Sequence, residues 1–215
     1  MKQAYQGMII ADICEVRFAT SGLVTWVGKK AGDSVRKGDT IASLDKKIFQ
    51  LDHERQLSDY ERIRAEFDMY KAKGEDDTSE AGKYAIQQKQ SALNISVKDI
   101  ELAKYKMDQA DLKSPVNGIV LDTQGIRTGL NVTPASTPMK IIDMDSLRFA
   151  FKIDGEELQR FMAEVEMHIK LKGLKDEYNA KTMPPLWESG SSYSIYAYFE
   201  KKDGLYPGMA GTARV

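Results

Sequence analysis

A long helical stretch set between two stretches of short strands constrains this chain more than any other feature. From Lys46 to Lys73 there is neither glycine nor proline, and strong helix formers dominate. Tyr60, Ile63, Phe67 and Tyr70 are spaced three, four and three, a seam of the a/d kind. Beyond Gly74, Ile86, Leu93, Ile100 and Met107 recur every seven residues, with Val97 as a further seam position. Gly74 takes a C-terminal cap position for the first helix, and Glu75-Asp76-Asp77 reads as a solvated turn. Asp77 and Glu80 have the spacing of a capping box. The second helix is predicted from about Thr78 or Lys83 to about Asp111. Its stop is Ser114-Pro115, because proline lacks an N–H and disfavours helix before it. Arg55–Asp59, Arg62–Glu66 and Arg64–Asp68 sit at i,i+4 with the basic residue first, the weaker orientation.

Two such helices joined by a short loop must be antiparallel neighbours, each on the order of 42 Å long. Their seams are narrow and most other positions are polar. The hairpin therefore buries one stripe between its arms and little else, and it must project into solvent or toward partners.

The flanks read as β structure. Met8 to Val27 is strand-like, with Cys14, Val16 and Phe18 alternating with Glu15 and Arg17. Ala31-Gly32-Asp33-Ser34 and Lys37-Gly38-Asp39 carry turn chemistry, each followed by a short apolar segment. After Pro115 the pattern resumes as an internal repeat. Gly22-Leu23-Val24 corresponds to Gly118-Ile119-Val120, and Gly32-Asp33-Ser34-Val35 to Gly129-Leu130-Asn131-Val132. Ile41 and Leu44 find counterparts near Pro138-Met139 and Ile141. Two half-motifs of similar design thus flank a helical insertion, and packing face to face as a sandwich lets the hairpin grow from between them.

From Ser146 the chain is β again. Leu147, Phe149, Phe151 and Ile153 alternate with polar or small neighbours, as do Met167, Ile169 and Leu171, and Tyr193, Ile195, Ala197 and Phe199. A short helix is expected over Glu156 to Ala163, and turns at Asp203-Gly204 and Tyr206-Pro207-Gly208. This portion reads as a small β-barrel with one helix. The expected organisation is an N-terminal segment 1–21 that joins the barrel or the sandwich, a first half-motif 22–45, the hairpin 46–111, a second half-motif 112–145, and the barrel 146–215. The fold class is mostly β with an inserted α-helical hairpin.

Composition narrows the function classes. The chain has 31 basic and 32 acidic residues, so the basic excess of a nucleic-acid binder is missing. The single cysteine, Cys14, forms no intramolecular disulfide and reads as a small apolar strand residue. No window approaches the roughly 18 apolar residues of a membrane helix, and Met1 to Tyr5 has no apolar core of a signal peptide. The chain is therefore either cytosolic or trimmed of its anchor. His53 and His168 lack the companions of a metal site, the ten methionines are scattered, and neither a nucleophile elbow nor a phosphate loop is present. Catalytic, metal and cofactor sites are not expected.

Val27 to Asp45, with Gly-Asp-x-Val-x-x-Gly-Asp spacing and a terminal Leu44-Asp45, resembles the first lipoyl half-motif of the membrane fusion protein family, the periplasmic adaptors. Leu112 to Val120 resembles that family's second half-motif, and Leu205-Tyr206-Pro207-Gly208-Met209 its Pro-Gly-Met turn before a closing barrel strand. The resemblance covers nearly the whole chain in family order. It implies a lipoyl-like barrel-sandwich hybrid, a coiled-coil hairpin and a small β-barrel in linear array. It also implies a membrane anchor at the periplasmic or extracytoplasmic face, an inner-membrane transporter partner of the ABC or proton-driven RND type, and often assembly of the chain into a homo-oligomeric ring. Members commonly meet an outer-membrane channel through the hairpin tip. Adaptors for TolC-type channels often carry an Arg, a Leu four residues on and a Ser seven beyond. Here Arg62 meets Glu66 and Arg64 meets Asp68, so a different outer partner, or none, is open.

Two other readings compete with the adaptor. Asp45-Lys46-Lys47 has the Asp-Lys of a lipoylated turn, which would suit a lipoyl- or biotinyl-type carrier. The second half-motif, however, begins only at Ser114-Pro115, so Lys46 is not on a tight hairpin between the halves. The other alternative is a cytosolic coiled-coil scaffold. For the adaptor, the candidate partner-binding residues lie at the hairpin tip. Met69 and Tyr70 near the loop and Tyr84 opposite are candidate apolar anchors, with Lys71, Lys73 and Lys83 around them. The plainer alternative has Tyr70 and Tyr84 capping the seam against each other.

Overall fold

The structure, a computed structural model, describes residues 4–72 and 79–215. The chain opens with β1 (Ala4–Ile10), followed by β2 (Ile13–Val16), β3 (Gly22–Val27), β4 (Ser34–Val35) and β5 (Thr40–Leu44). Helices α1 (Lys47–Ala72) and α2 (Glu80–Asp108) come next. Then follow β6 (Asp111–Lys113), β7 (Gly118–Asp122), β8 (Asn131–Val132) and β9 (Met139–Asp143). The last group is β10 (Arg148–Asp154), β11 (Glu166–Leu171), β12 (Glu177–Thr182), β13 (Leu186–Ser189), β14 (Ser192–Phe199) and β15 (Ala210–Arg214).

The two half-motifs form a sandwich of two four-stranded sheets, β2-β9-β7-β4 and β6-β5-β3-β8. Each sheet mixes strands of both halves, and the pairing is reciprocal. Gly22 pairs with Val132 and Leu23 with Asn131, while Gly118 pairs with Val35 and Ile119 with Ser34. The loop bonds repeat the symmetry. Gly32 N–H donates to Val120 O and Val120 N–H to Asp33 O (2.8 and 3.0 Å), and Gly129 N–H donates to Val24 O and Val24 N–H to Leu130 O (both 2.8 Å). Gly32 and Gly129 both have positive φ, 94° and 86°, which explains a glycine at each equivalent turn. The halves thus exchange short strands, a closer union than face-to-face packing of two separate sheets. Neither half completes a sheet alone. Val24, Ile41, Leu44, Val120, Met139 and Ile141 form the centre of this core.

The Gly-Asp turns have a local cause. The Asp33 carboxylate accepts from Lys30 N–H (2.7 Å) and the Asp39 carboxylate from Arg36 N–H (2.9 Å), so each aspartate closes the turn before it.

The strand-like stretch from Met8 is broken at Ala11–Asp12. β1 belongs to the seven-stranded sheet of the barrel, whereas β2 pairs with β9 in the sandwich. β1, β10, β14, β12, β11 and β15 close a six-stranded barrel through the β10–β14 pairing, and β13 hangs on β14. Leu147, Phe149, Phe151, Ile153, Met167, Ile169, Leu171, Ile195, Ala197 and Phe199 all point into its core. The expected helix after Asp154-Gly155 is a 3₁₀ turn, Gly155–Phe161, shorter than read from the sequence. It drops Phe161 into the core, where the ring meets Tyr5 and Phe151 edge-on at 5.5 and 5.7 Å. The Tyr206-Pro207-Gly208 turn delivers the chain to β15 through Gly208 N–H to Ile9 O and Ile9 N–H to Met209 O, both 2.8 Å.

α1 and α2 pack on each other and have no substantial contact with any strand. With 26 and 29 residues they run about 39 and 44 Å. Phe67, Ser96 and Ala103 are buried in their interface. The α2 seam runs Ile86, Lys89, Leu93, Ser96, Ile100, Ala103, Met107, so Ser96 takes the place the sequence reading gave to Val97, which is exposed. Ser96 fits because its hydroxyl donates to Leu93 O at 2.8 Å. α2 starts at Glu80 with Ser79 as N-cap, its side chain accepting from Gly82 N–H at 3.1 Å. The proposed capping residue Asp77 and the cap Gly74 lie outside the described residues. α2 ends at Asp108, earlier than the expected Asp111, which is needed in β6 to pair with Ser43 of β5. Arg55 pairs with Asp52 (2.8 Å) instead of Asp59, because Asp59 is held by Arg62 at 2.6 Å. Arg62–Glu66 forms at 2.7 Å as expected, and Arg64–Asp68 only at 3.9 Å.

Candidate partner-binding surfaces

The tip residues separate into two groups. Met69 and Tyr84 are exposed, 60% and 70%, and Lys71 and Lys83 are exposed beside them. Tyr70 is half-buried instead. Its ring carries the Lys89 ammonium 5.3 Å from the centroid, and Lys71 lies 4.6 Å over the Phe67 ring. Tyr70 is therefore a seam residue capped by a lysine and not an exposed anchor. Among the described residues no ring contact joins Tyr70 to Tyr84, so the two tyrosines do not cap the seam against each other. Lys73 lies outside the described residues.

At the root, the hairpin is fixed to the sandwich by a polar clasp. Lys46 Nζ donates to Asp111 Oδ2 and Ser43 Oγ to Asp111 Oδ1, each at 2.7 Å. Burial works against ionisation of Asp111, but the bonds from Lys46 and Ser43 outweigh it and hold its carboxyl below the usual range. Phe49 packs on the sandwich core beneath, and Ala110 is fully buried beside it. Lys46, the residue at the position of a carrier lysine, thus spends its ammonium on tying the entry of α1 to the exit of α2. The only lysine with a carrier-like sequence context is engaged in structure.

A second surface was missed in the sequence. Ile95, Leu102 and Tyr105 of α2 are 62%, 52% and 61% exposed, spaced seven and three. They lie on the side of the helix away from Ser96, Ile100 and Ala103. Near the root of α1, Ile48 and Leu51 are exposed as well, 79% and 50%. The Ile95–Leu102 interval is itself a heptad, two positions out of phase with Leu93–Ile100, and was legible as such.

Among the described residues no cluster of metal-ligating side chains occurs, and no helix is long and apolar enough to cross a membrane. His168 Nδ1 bonds Asn179 Oδ1 at 2.9 Å, and His53 sits half-buried along α1.

A strand-exchanged sandwich, a closed six-stranded barrel and a two-helix stalk rooted between the sandwich halves define a modular class of protein. The solved structures give that class its name. No family model and no curated protein matches the sequence. A MacA–MexA chimera carrying the Pseudomonas aeruginosa MexA α-hairpin domain is similar with a TM-score of 0.78 at 19% identity, over 99% of this chain and 80% of that one. The membrane fusion protein Spr0693 from Streptococcus pneumoniae R6 is similar with a TM-score of 0.74 at 15% identity, over 99% of both chains. The periplasmic adaptor protein EmrA is similar with a TM-score of 0.54 at 14% identity, over 98% of both. This chain has the fold of the membrane fusion proteins, or periplasmic adaptors.

Proposed function

We propose that this protein is a non-catalytic adaptor subunit of a bacterial export complex, efflux or secretion, working at the periplasmic or extracytoplasmic face and membrane-anchored in its full-length form. It joins an inner-membrane transporter, of the ABC or RND type, to an outer channel or another extracellular partner. The observation that carries this reading is the stalk, whose helices pack chiefly on each other, with only Phe49 at its root against the sandwich core, while leaving large apolar side chains in water. A helix that buries one seam and exposes a second apolar stripe is equipped for contact with another molecule.

The outward stripe also supports homo-oligomerisation. Leu102 and Tyr105 near the end of α2, and Ile48 and Leu51 near the start of α1, stand at the same root level of the stalk. Copies set side by side with their stalks parallel would bring one patch against the other, a heterologous contact that closes into a ring. The exposed tip, Met69, Lys71, Lys83 and Tyr84, is then left for the outer partner. Simultaneous Lys71→Glu, Lys73→Glu and Lys83→Glu substitutions are expected to abolish export with an unchanged circular dichroism spectrum. Normal export by that variant removes the tip from the contact surface.

A further inference from the structure

The chain passes between barrel and sandwich twice, at Ala11–Asp12 and at Met144–Leu147. Two independent crossings would leave a loose joint. Here they are stapled together. Asp143 N–H donates to Asp12 O (2.9 Å), Asp12 N–H to Ser146 Oγ (2.7 Å), and Ser146 Oγ–H to Asp143 O (2.8 Å). Across this staple reaches Arg148, the first residue of β10. One of its terminal nitrogens donates to Asp12 Oδ1 at 2.6 Å and the other to Ser146 O at 3.3 Å. Its guanidinium lies 5.1 Å over the Tyr196 ring of the barrel. The crossing is held from both sides at Asp145, whose carboxylate accepts from Asn117 Nδ2 of the sandwich at 2.9 Å and whose carbonyl accepts from Lys202 Nζ of the barrel.

One feature of this joint is not optimised for permanence. Arg148 Nε is buried and has no hydrogen-bond partner, and no other buried side-chain nitrogen or oxygen among the described residues is left so. An unsatisfied donor in a closed joint costs free energy that opening would recover, since water would then reach it. Opening would also give up the charge-assisted bond to Asp12, a residue 62% exposed and so within reach of solvent and ions. The two effects oppose each other at one residue.

We propose that Asp12 and Arg148 form a latch that holds the sandwich and its stalk at one angle to the barrel, and that its release lets them swing about the doubled crossing. This goes beyond the adaptor reading and stands whatever the chain joins. In this proposal the latch acts through the Asp12 carboxylate, the one charged group that joins the first crossing to Arg148 of the barrel.

Spin labels test it. In the whole chain with Cys14→Ser, cysteines replace the exposed Lys37 of the sandwich and Lys170 of the barrel, and the distance distribution between labels is measured. The parent should give one narrow distribution. Asp12→Asn should at least double its width, Asp12→Glu should restore it, and Ser146→Ala should broaden it less than Asp12→Asn does. Thermal melting of each variant, within a few degrees of the parent, establishes that both bodies are folded. A distribution for Asp12→Asn that superimposes on the parent overturns the latch. So does a parent that is already broad, or a Ser146→Ala variant as broad as Asp12→Asn.

Discussion

The barrel and the stalk are stabilised in opposite ways. The barrel buries an aromatic cluster, Tyr5, Phe149, Phe151 and Phe161, with aliphatic side chains closing around it. Among the described residues the stalk fully buries one large side chain, Phe67, with Ser96 and Ala103, while Ile86, Leu93, Ile100 and Met107 are only half-buried along the seam. Its solvent side keeps Ile95, Leu102 and Tyr105 exposed. A core that fills itself is finished as an independent body. The helical pair buries a thin seam and leaves a second apolar stripe exposed, so it is suited to contact with another molecule. The difference teaches that exposed apolar surface is concentrated on the stalk's helices while the barrel closes around its own core.

Substitutions should separate the two regions. Phe149→Ala empties the centre of the barrel and is expected to cost about 3–5 kcal/mol in a cooperative transition, read by denaturant unfolding. An equal loss from a surface position, or no loss, would break the contrast. Phe67→Ala is expected to cost less, about 1–2 kcal/mol, because the helices can close on the gap and unravelling stays local. Hydrogen exchange should show faster opening in α1 and α2 with the barrel strands unchanged. If the barrel amides speed up equally, the stalk is not a separate cooperative unit.

The smallest effect belongs to the root clasp. Lys46→Met leaves Asp111 without its ammonium partner, and the partly exposed pair supports a loss of about 1 kcal/mol at neutral pH. Asp111 has a depressed folded pKa, so its contribution is present above the unfolded value and is lost as pH falls through the folded one. Exchange at the stalk root should therefore quicken on acidification below about pH 4. Lys46→Met should flatten that dependence, and a persistent acid response would place its origin elsewhere.

Much of this was legible in the sequence because periodicity reports on burial. The alternation Leu147–Phe149–Phe151–Ile153 and the heptad Ile86–Leu93–Ile100–Met107 both mark faces that the fold buries or half-buries. Repeat spacing likewise placed Gly22 with Gly118 and Gly32 with Gly129. What periodicity does not report is which half a short strand pairs with. The exchange of β4 and β8 depends on backbone bonds between segments far apart in the chain, Gly32 with Val120 and Gly129 with Val24, which no local pattern encodes. Val97 was assigned to the seam because it is apolar, yet the register fixed by Leu93 and Ile100 puts Ser96 there. At the tip Met69 and Tyr84 are exposed, whereas Tyr70 lies half-buried on the seam that its spacing from Phe67 marks, with Lys89 of the other helix over its ring.

Photo-crosslinking in the native host tests the account's central claim most directly. A photoreactive phenylalanine analogue at Met69, Tyr84, Ile95 or Tyr105 should form adducts with a second protein, another copy of the chain from α2's outward stripe and a different protein from the tip. Export that proceeds normally while none of these four positions yields an adduct would contradict it.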